Sequence, residues 1–504
     1  MGNKKLGILF LASVLLAFLA GYFSSQILPS LPVGSGDDTF EFITESFQNY
    51  YYYDIEDDEI QKAFIDAMEA SINSYAASNN DPYTRLVATP LNVTPTDDEI
   101  FIGIGISFTT EELGLRVNYV YPEGAAVGLI YPNDMIIGIS IDDSDIMFDE
   151  LDDEDEILSY LSGNLDDVKT LIVKDPDLEV KYVIITYQEI PTPTAYALDL
   201  GIGNENLSYI KINRFSRYVP DTTVGTAKVF QDALNYLESE SLLIDSENKT
   251  LIIDMRDNPG GALTALHNQS SEGMIPGIAQ QLLTKSVETT LFTMIPKTEK
   301  VQNFYGSLAQ PKEYNIAVLV NEHSASAAEV LAAALKTYGG YELYGAPTYG
   351  KGVYQNQIRL QDIDGIRYSL IYTEGQWFYG DNLNVSTTPL EVNLIAQEGI
   401  KAIDMPVYNG QMSLNTVSTY LNSYQAFLNI HFDFSGLELL RTDGYFDVAT
   451  ESAVERYQLE NGLAVSGVIT IETARSIHDL YMDYVADINY DVQLQRLLEI
   501  LNNA

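Results

Sequence analysis

The chain has 504 residues, of which 46 % are hydrophobic and 20 % charged, a globular balance with length enough for several domains. Acidic residues outnumber basic ones 72 to 27, giving a net charge of −45, which argues against non-specific nucleic-acid binding through a basic face. Cysteine is absent and histidine occurs only four times, without a dense ligand motif, so disulfides and thiolate metal sites are excluded and neither a metal nor an organic cofactor is implied.

Lys4 and Lys5 precede an apolar run over residues 6–23. Its length fits the lower end of a membrane span, with a cleaved signal peptide as the alternative. Leu19-Ala20-Gly21 offers only a partial cleavage site, so residues 1–25 read as a signal anchor with its basic end in the cytoplasm. The rest of the chain is then expected outside the cell membrane. A Pro/Gly/Ser linker leads to an N-terminal helical region (37–98). Phe40, Ile43 and Phe47, then Ile60, Phe64, Met68 and Ile72, predict two helices there. Asp81-Pro82-Tyr83-Thr84 reads as a turn.

Over residues 99–187 the pattern predicts a small β-domain. One strand is expected over 100–106 and another over 115–120, with a short helix opening at Pro122. The acidic stretch 142–156 reads as a solvated loop. With Pro132-Asn133-Asp134-Met135-Ile136, the region resembles a PDZ domain, Asn133 standing where glycine is usual. A free sheet edge can accept an extended peptide, and a nest of N–H groups can hold its terminal carboxylate. The resemblance assigns that role to Gly103, Ile104, Gly105 and Ile106.

From 195 to 405 strands and helices alternate, predicting an α/β core with a partly parallel sheet. Strands are expected at 208–212, 251–256 and 316–320, a helix at 226–237, and a strand pair over 358–372 across Asp364-Gly365. The second strand runs into Asn258-Pro259-Gly260-Gly261. The third runs through Asn321-Glu322-His323 into Ser324-Ala325-Ser326-Ala327, which opens a helix stopped at Gly339-Gly340. A serine at a helix N-terminus lies beside unpaired N–H groups that can hold an oxyanion. A lysine with a lowered pKa can serve as its base, and Lys351 sits between Gly350 and Gly352. Ser326-x-x-Glu329 also fits a capping box, and Lys351 a solvated turn lysine; spacing alone favours these plainer readings.

The run Val318-Leu319-Val320-Asn321-x-x-Ser324-Ala325-Ser326-Ala327-x-Glu329, with Gly350-Lys351-Gly352 downstream, resembles the carboxyl-terminal processing peptidases, tail-specific serine proteases with a Ser-Lys dyad. The resemblance makes Ser326 the nucleophile, Lys351, 25 positions later, its base, and Gln355 the support of the lysine. Asp254-x-Arg256-x-Asn258-x-Gly260-Gly261 matches a second family motif, which implies an oxyanion hole from Gly260 or Gly261 with Ala327. Thr337 stands where some members carry an aspartate. The implied core fold is crotonase-like. Residues 414–481, with a first helix expected around 417–427, resemble the three-helix peptidoglycan-binding domain through Gly444-Tyr445-Phe446, Ala453-Val454, Tyr457-Gln458 and Gly462-Leu463. Residues 482–504 read as a polar amphipathic tail, helical in pattern.

Together these features predict a multidomain α/β protein: membrane anchor and helical arm, PDZ β-domain, protease core and small helical bundle. The expected function is that of a membrane-anchored serine endopeptidase that engages exposed protein C-termini, with cell-wall peptidoglycan as a second partner. Some relatives imply a homodimer through the N-terminal helices. The alternative is a non-catalytic, wall-bound PDZ adaptor.

Overall fold

The structure, a computed structural model, describes residues 57–503 apart from 91–98, 112–113, 143, 152–153, 220–222, 240–248, 269–274, 287, 299 and 364–365. The expected anchor, linker and first arm helix lie outside the described residues. Among the described residues no helix is long and apolar enough to cross a membrane. The chain divides into two compact units, residues 1–93 with 355–373, and residues 94–354 with 374–504.

The smaller unit holds the helix Asp57–Ser78, where the second arm helix is expected. The strand Arg85–Pro90 pairs antiparallel with residues 366–371, and Ile65, Leu86 and Tyr368 close a small core. The Asp81 carboxylate turns the chain by accepting the Tyr83 amide (3.1 Å) and the Thr84 hydroxyl (2.6 Å), and it also takes the Thr373 hydroxyl (2.9 Å).

In the larger unit, residues 100–191 build antiparallel β-structure, most of it one sheet. Strands Ile106–Glu111, Gly114–Val120, Met135–Ile141, Val168–Lys174 and Val180–Thr186 follow one another across it. Leu115, Ile136, Leu171 and Val173 fill its core, with the helix Glu154–Leu161 supplying Ile157. Three expectations need correction. The single strand over 100–106 is two: Ile100–Gly103 pairs with Gln188–Pro191, and Gly105, at φ 80°, bends the chain before Ile106 starts another sheet. The short helix after Pro122 is a series of tight turns, Gly124 bonding back to Tyr121 and Val127 to Gly124. The acidic stretch 142–156 is no plain loop. Ser144–Met147 pairs with the neighbouring strand, Phe148 is buried, and a helix starts at Glu154, while Asp142, Asp145, Asp149, Glu150 and Glu156 are exposed.

The core sheet contains six strands in the order β1 (Ala195–Leu198), β2 (Leu207–Ile212), β3 (Thr250–Asp254), β4 (Asn315–Val320), β5 (Glu342–Gly345) and β6 (Asn393–Leu394). All neighbours are parallel except β1 and β2. Strand alternation sorts its side chains onto two faces. Ile210, Ile212, Leu251, Ile253, Ile316, Val318 and Val320 share one core with the helices α1 (Thr226–Ser239), α2 (Ile278–Leu282) and α3 (Ala327–Thr337). Tyr209, Ile252, Ala317 and Leu319 on the opposite face are covered by Leu494, Leu497 and Leu498 of the last helix, α4 (Val492–Asn502). The segment that reads as an amphipathic tail therefore supplies the third layer of the core.

Between β6 and α4 the chain forms a helical module, Leu421–His431, Val448–Glu460 and Ile471–Ala486. Tyr424, Phe427, Phe446, Val454, Tyr457 and Ile477 are its buried centre. Its first helix starts four residues later than the pattern suggests, because Val417 is 77 % exposed and bridges Tyr445 instead of packing.

Candidate active site

Both glycine- and serine-bearing turns leave the carboxyl ends of adjacent parallel strands, β3 and β4, the edge at which open α/β sheets place their sites. The two turns are stitched together. Asn321 Nδ2 donates to Asp257 (2.8 Å), the Asp257 amide returns to Asn321 Oδ1 (2.9 Å), and Ser324 Oγ donates to the Met255 carbonyl (2.8 Å). The Ala325 amide donates to the Asn258 carbonyl (2.9 Å). Asn258 is fully buried; its Nδ2 donates to Ile212 (2.9 Å) and its Oδ1 accepts the Gly260 amide (2.8 Å).

Ser326 caps α3 at φ 55° and ψ −115°, a conformation made for glycine. A non-glycine residue held there stores about 1–3 kcal/mol, which the surroundings must enforce. Gly260 lies directly against it. A Cβ at Gly260 would come within 2.8 Å of Ser326 Cβ and 3.0 Å of the Ala327 nitrogen, and its φ of 99° also requires glycine. With the Gly260 amide held by Asn258, no acceptor among the described residues takes the amide of Gly261, nor that of Ala327 at the first position of α3.

The element that brings the lysine to this serine is Glu329, one turn into α3 and fully buried. Its Oε2 accepts both the Ser326 amide (2.9 Å) and the Lys351 amide (2.8 Å), while Oε1 accepts the Gly350 amide (2.7 Å). Both dyad candidates are thus anchored through their backbones to one oxygen atom. The capping reading and the catalytic reading of Ser326-x-x-Glu329 turn out to be compatible. The Tyr349 amide adds a bond to the Ser324 carbonyl (3.1 Å). Behind the lysine, Trp377 Nε1 donates to the Lys351 carbonyl (2.8 Å), and Asn384 Nδ2 to that of Gly352 (2.9 Å). The flanking glycines have separate causes: Gly350 has φ 93°, and a Cβ on Gly352 would lie 2.0 Å from Asn384 Oδ1. Ser326 and Lys351 are half-buried.

Gln355 falls in the smaller unit, where its amide donates to Thr373 Oγ1 (3.4 Å). Thr337 bonds only back to the Ala333 carbonyl (2.6 Å), and His323 is an exposed turn residue. Gly103, Ile104, Gly105 and Ile106 form the bend that opens the edge strand Ile106–Glu111, which pairs on one side only among the described residues. The Ile104 and Gly105 carbonyls accept the Ala126 (2.9 Å) and Tyr121 (2.8 Å) amides. Asn133 does adopt positive φ, 74°. Asn258, Asn321, Glu329, Trp377 and Asn384 were not foreseen as site-building residues. Glu329 carried a local signal in its spacing from Ser326, and Asn258 and Asn321 stood in the quoted motifs without an assigned role. No group of three or more metal-ligating side chains is assembled among the described residues.

Comparison with known proteins places these turns in context. Residues 206–380 match the family model for Peptidase family S41, and residues 416–477 that for a peptidoglycan binding domain. The chain is 27 % identical over 329 residues to the carboxy-terminal processing protease CtpB of Bacillus subtilis (strain 168), covering 62 % of this chain and 59 % of that protein. It is 29 % identical over 260 residues to a CtpA-like serine protease of Staphylococcus aureus (strain N315), covering 50 % and 47 %. The chain thus spans about half the length of these relatives. Among solved structures, the photosystem II D1 C-terminal processing protease aligns at TM-score 0.37 and 17 % identity, over 72 % of this chain and 93 % of that one. The PDZ domain of a carboxy-terminal protease from Vibrio cholerae, solved with a peptide, aligns at TM-score 0.17 and 17 % identity, over 18 % of this chain and 99 % of that one.

Proposed function

We propose that this chain, which carries a peptidase family S41 domain and a following domain of the peptidoglycan-binding type, is a serine endopeptidase of the carboxyl-terminal processing kind. Ser326 Oγ attacks the scissile carbonyl, and neutral Lys351 takes the hydroxyl proton. The amides of Ala327 and of the Gly260-Gly261 turn, Gly261 being the one without an acceptor, receive the oxyanion. Collapse of the tetrahedral intermediate breaks the C–N bond, and the lysine returns its proton to the leaving amine. Water, deprotonated by the same lysine, then attacks the acyl-Ser326 ester; the C–Oγ bond breaks and the lysine returns the proton to Ser326 Oγ. The observation that carries this reading is Glu329, whose carboxylate binds the backbones of both reacting residues at once.

The proposed ligand of the bend at Gly103, Ile104, Gly105 and Ile106 is the C-terminal tail of a protein substrate, added beside that bend as a further strand. The proposed setting is the outer face of the cell membrane, with residues 1–25 as anchor and peptidoglycan bound by the helical module.

The deciding experiment follows cleavage of an unfolded protein by wild type, Ser326→Ala and Lys351→Ala. Loss of at least about a thousand-fold in both variants, with unchanged circular dichroism, is expected. Equal turnover in wild type and Ser326→Ala would leave the non-catalytic adaptor as the better account. Deleting residues 99–187 lowers activity if that domain tethers substrate and raises it if the domain gates the site. Co-sedimentation of the full chain with purified peptidoglycan tests the wall contact.

A further inference from the structure

The final helix of the chain carries no catalytic signature, yet its first turn reaches the strand that feeds the glycine turn. β3 ends at Asp254, a fully buried carboxylate that accepts Tyr209 Oη (2.7 Å), Lys211 Nζ (3.2 Å), and the amide (2.8 Å) and Nη2 (2.7 Å) of Arg256. The same guanidinium forks onto a second carboxylate. Nη1 and Nη2 of Arg256 reach the two oxygens of Asp491 at 3.0 and 2.7 Å, and Nη1 reaches Gln493 Oε1 at 3.1 Å. Asp491 caps α4 by accepting the Leu494 amide (3.0 Å) and also takes Lys401 Nζ (2.9 Å). The Arg256 carbonyl accepts Lys211 Nζ (2.7 Å). Arg256, Asp491 and Gln493 are all buried.

Arg256 stands two residues before Asn258, which holds both the Gly260 amide and the serine-bearing turn. Its side chain is gripped from two directions, by its own strand and by a residue 235 positions further along the chain. We infer that Asp491 is a positioning residue of the peptidase, holding the turn 255–261 in register with Ser326 through Arg256; this rests on the proteolytic reading above. A bidentate pair fixes the guanidinium plane, and so the direction in which the following backbone leaves β3. Misplacement of an oxyanion donor by about 1 Å can cost on the order of a hundred-fold in rate. The site is therefore complete only after the chain has traversed the helical module and returned to the sheet. Gln493 Nε2 on the Ile395 carbonyl (2.6 Å) and Lys401 on Asp491 close that module's base.

The test compares wild type, Asp491→Asn, Asp491→Glu and Leu497→Ala in the full chain. Reactive serines are counted by fluorophosphonate titration, and kcat and KM are expressed per titrated serine. Leu497→Ala loosens α4 on the sheet without touching Arg256. The inference expects kcat per titrated serine to fall at least ten-fold in Asp491→Asn, with KM within about two-fold. It also expects a parallel fall in the phosphonylation rate, partial rescue in Asp491→Glu, and little change in Leu497→Ala. If Asp491→Asn loses only thermal stability or titratable fraction, with kcat per serine unchanged, Asp491 is merely structural and the inference is overturned. Should Asp491→Asn give no folded protein, Asp491→Glu, which keeps the charge but shifts the fork, is read alone: a several-fold fall in kcat per titrated serine at nearly constant KM is expected, and an unchanged kcat per serine overturns the inference. Absence of cleavage by wild type would instead overturn the proteolytic reading itself.

Discussion

At the scale of single residues, the site is held by backbone amides more than by side-chain pairs. Ser326 occupies a conformation that suits glycine, so the strain it stores can be released by substitution. Ser326→Gly is expected to raise thermal stability by about 1 kcal/mol while removing activity, whereas Ser326→Ala leaves stability near wild type. Paired melting curves check this; a less stable Ser326→Gly would show that the conformation is not strained. Glu329 gives a second prediction. Its carboxylate satisfies three amides with no solvent exposure. Glu329→Ala orphans all three and is expected to cost about 3 kcal/mol or more. Glu329→Gln keeps an acceptor but turns a donor toward at least one amide. It should fold with moderate loss and show kcat lowered ten-fold or more at nearly constant KM. Chemical denaturation and steady-state kinetics separate the two effects.

At the scale of elements, helix Ile471–Ala486 presents His478 to Tyr131, their rings edge to face at 5.7 Å. Burial pushes the imidazole down to about 4 from its ordinary value of 6.5, so it is neutral in the folded protein. The unfolded chain takes up this proton near pH 6.5 and the folded one only near 4. Stability that is full above pH 6.5 is therefore lost progressively as pH falls toward 4. His478→Leu should flatten the melting-temperature profile across that window; an unchanged slope would mean that the ring is not buried neutral. α4 shows the acidic counterpart. Burial alone would raise the Asp491 carboxyl, but Arg256 and Lys401 hold it at about 2, so the stability it contributes persists until the solution is strongly acidic.

At the scale of the larger unit, the antiparallel β-structure of residues 100–191 and the helical module share a polar seam. Buried Asp134 pairs with Lys181 (3.6 Å) on its own sheet and with Arg475 (3.3 Å) on the module. Tyr408 Oη donates to Asp177 (2.9 Å), and Asn133 Nδ2 to the Tyr408 carbonyl (2.9 Å). Arg475→Ala leaves a buried carboxylate with one cation at longer range and should cost about 2–3 kcal/mol. Hydrogen exchange on both sides of the seam should rise together; faster exchange confined to the module would show that the seam does not couple them.

Local pattern was enough for the parts whose physics is local. The apolar run 316–320, the cap at Ser326, the stop at Gly339-Gly340 and Gly350 each announce their structure, because strand period, helix termini and positive φ depend on neighbouring residues. Where distant groups compete, the pattern misled. Carboxylates masked Phe148 and the short strand before it, and Gly105 divided a continuous apolar run, because it packs against Gly124. Motifs in the sequence thus singled out Ser326 and Lys351 as the candidate pair, through a family resemblance where spacing alone favoured plainer readings. Long-range contacts alone set Glu329 between their backbones, let Asn258 take the Gly260 amide while that of Gly261 has no acceptor among the described residues, and lay the last helix on the far face of the core sheet. Those outcomes depend on hydrogen bonds and buried faces contributed by segments up to hundreds of residues apart, which no local periodicity encodes.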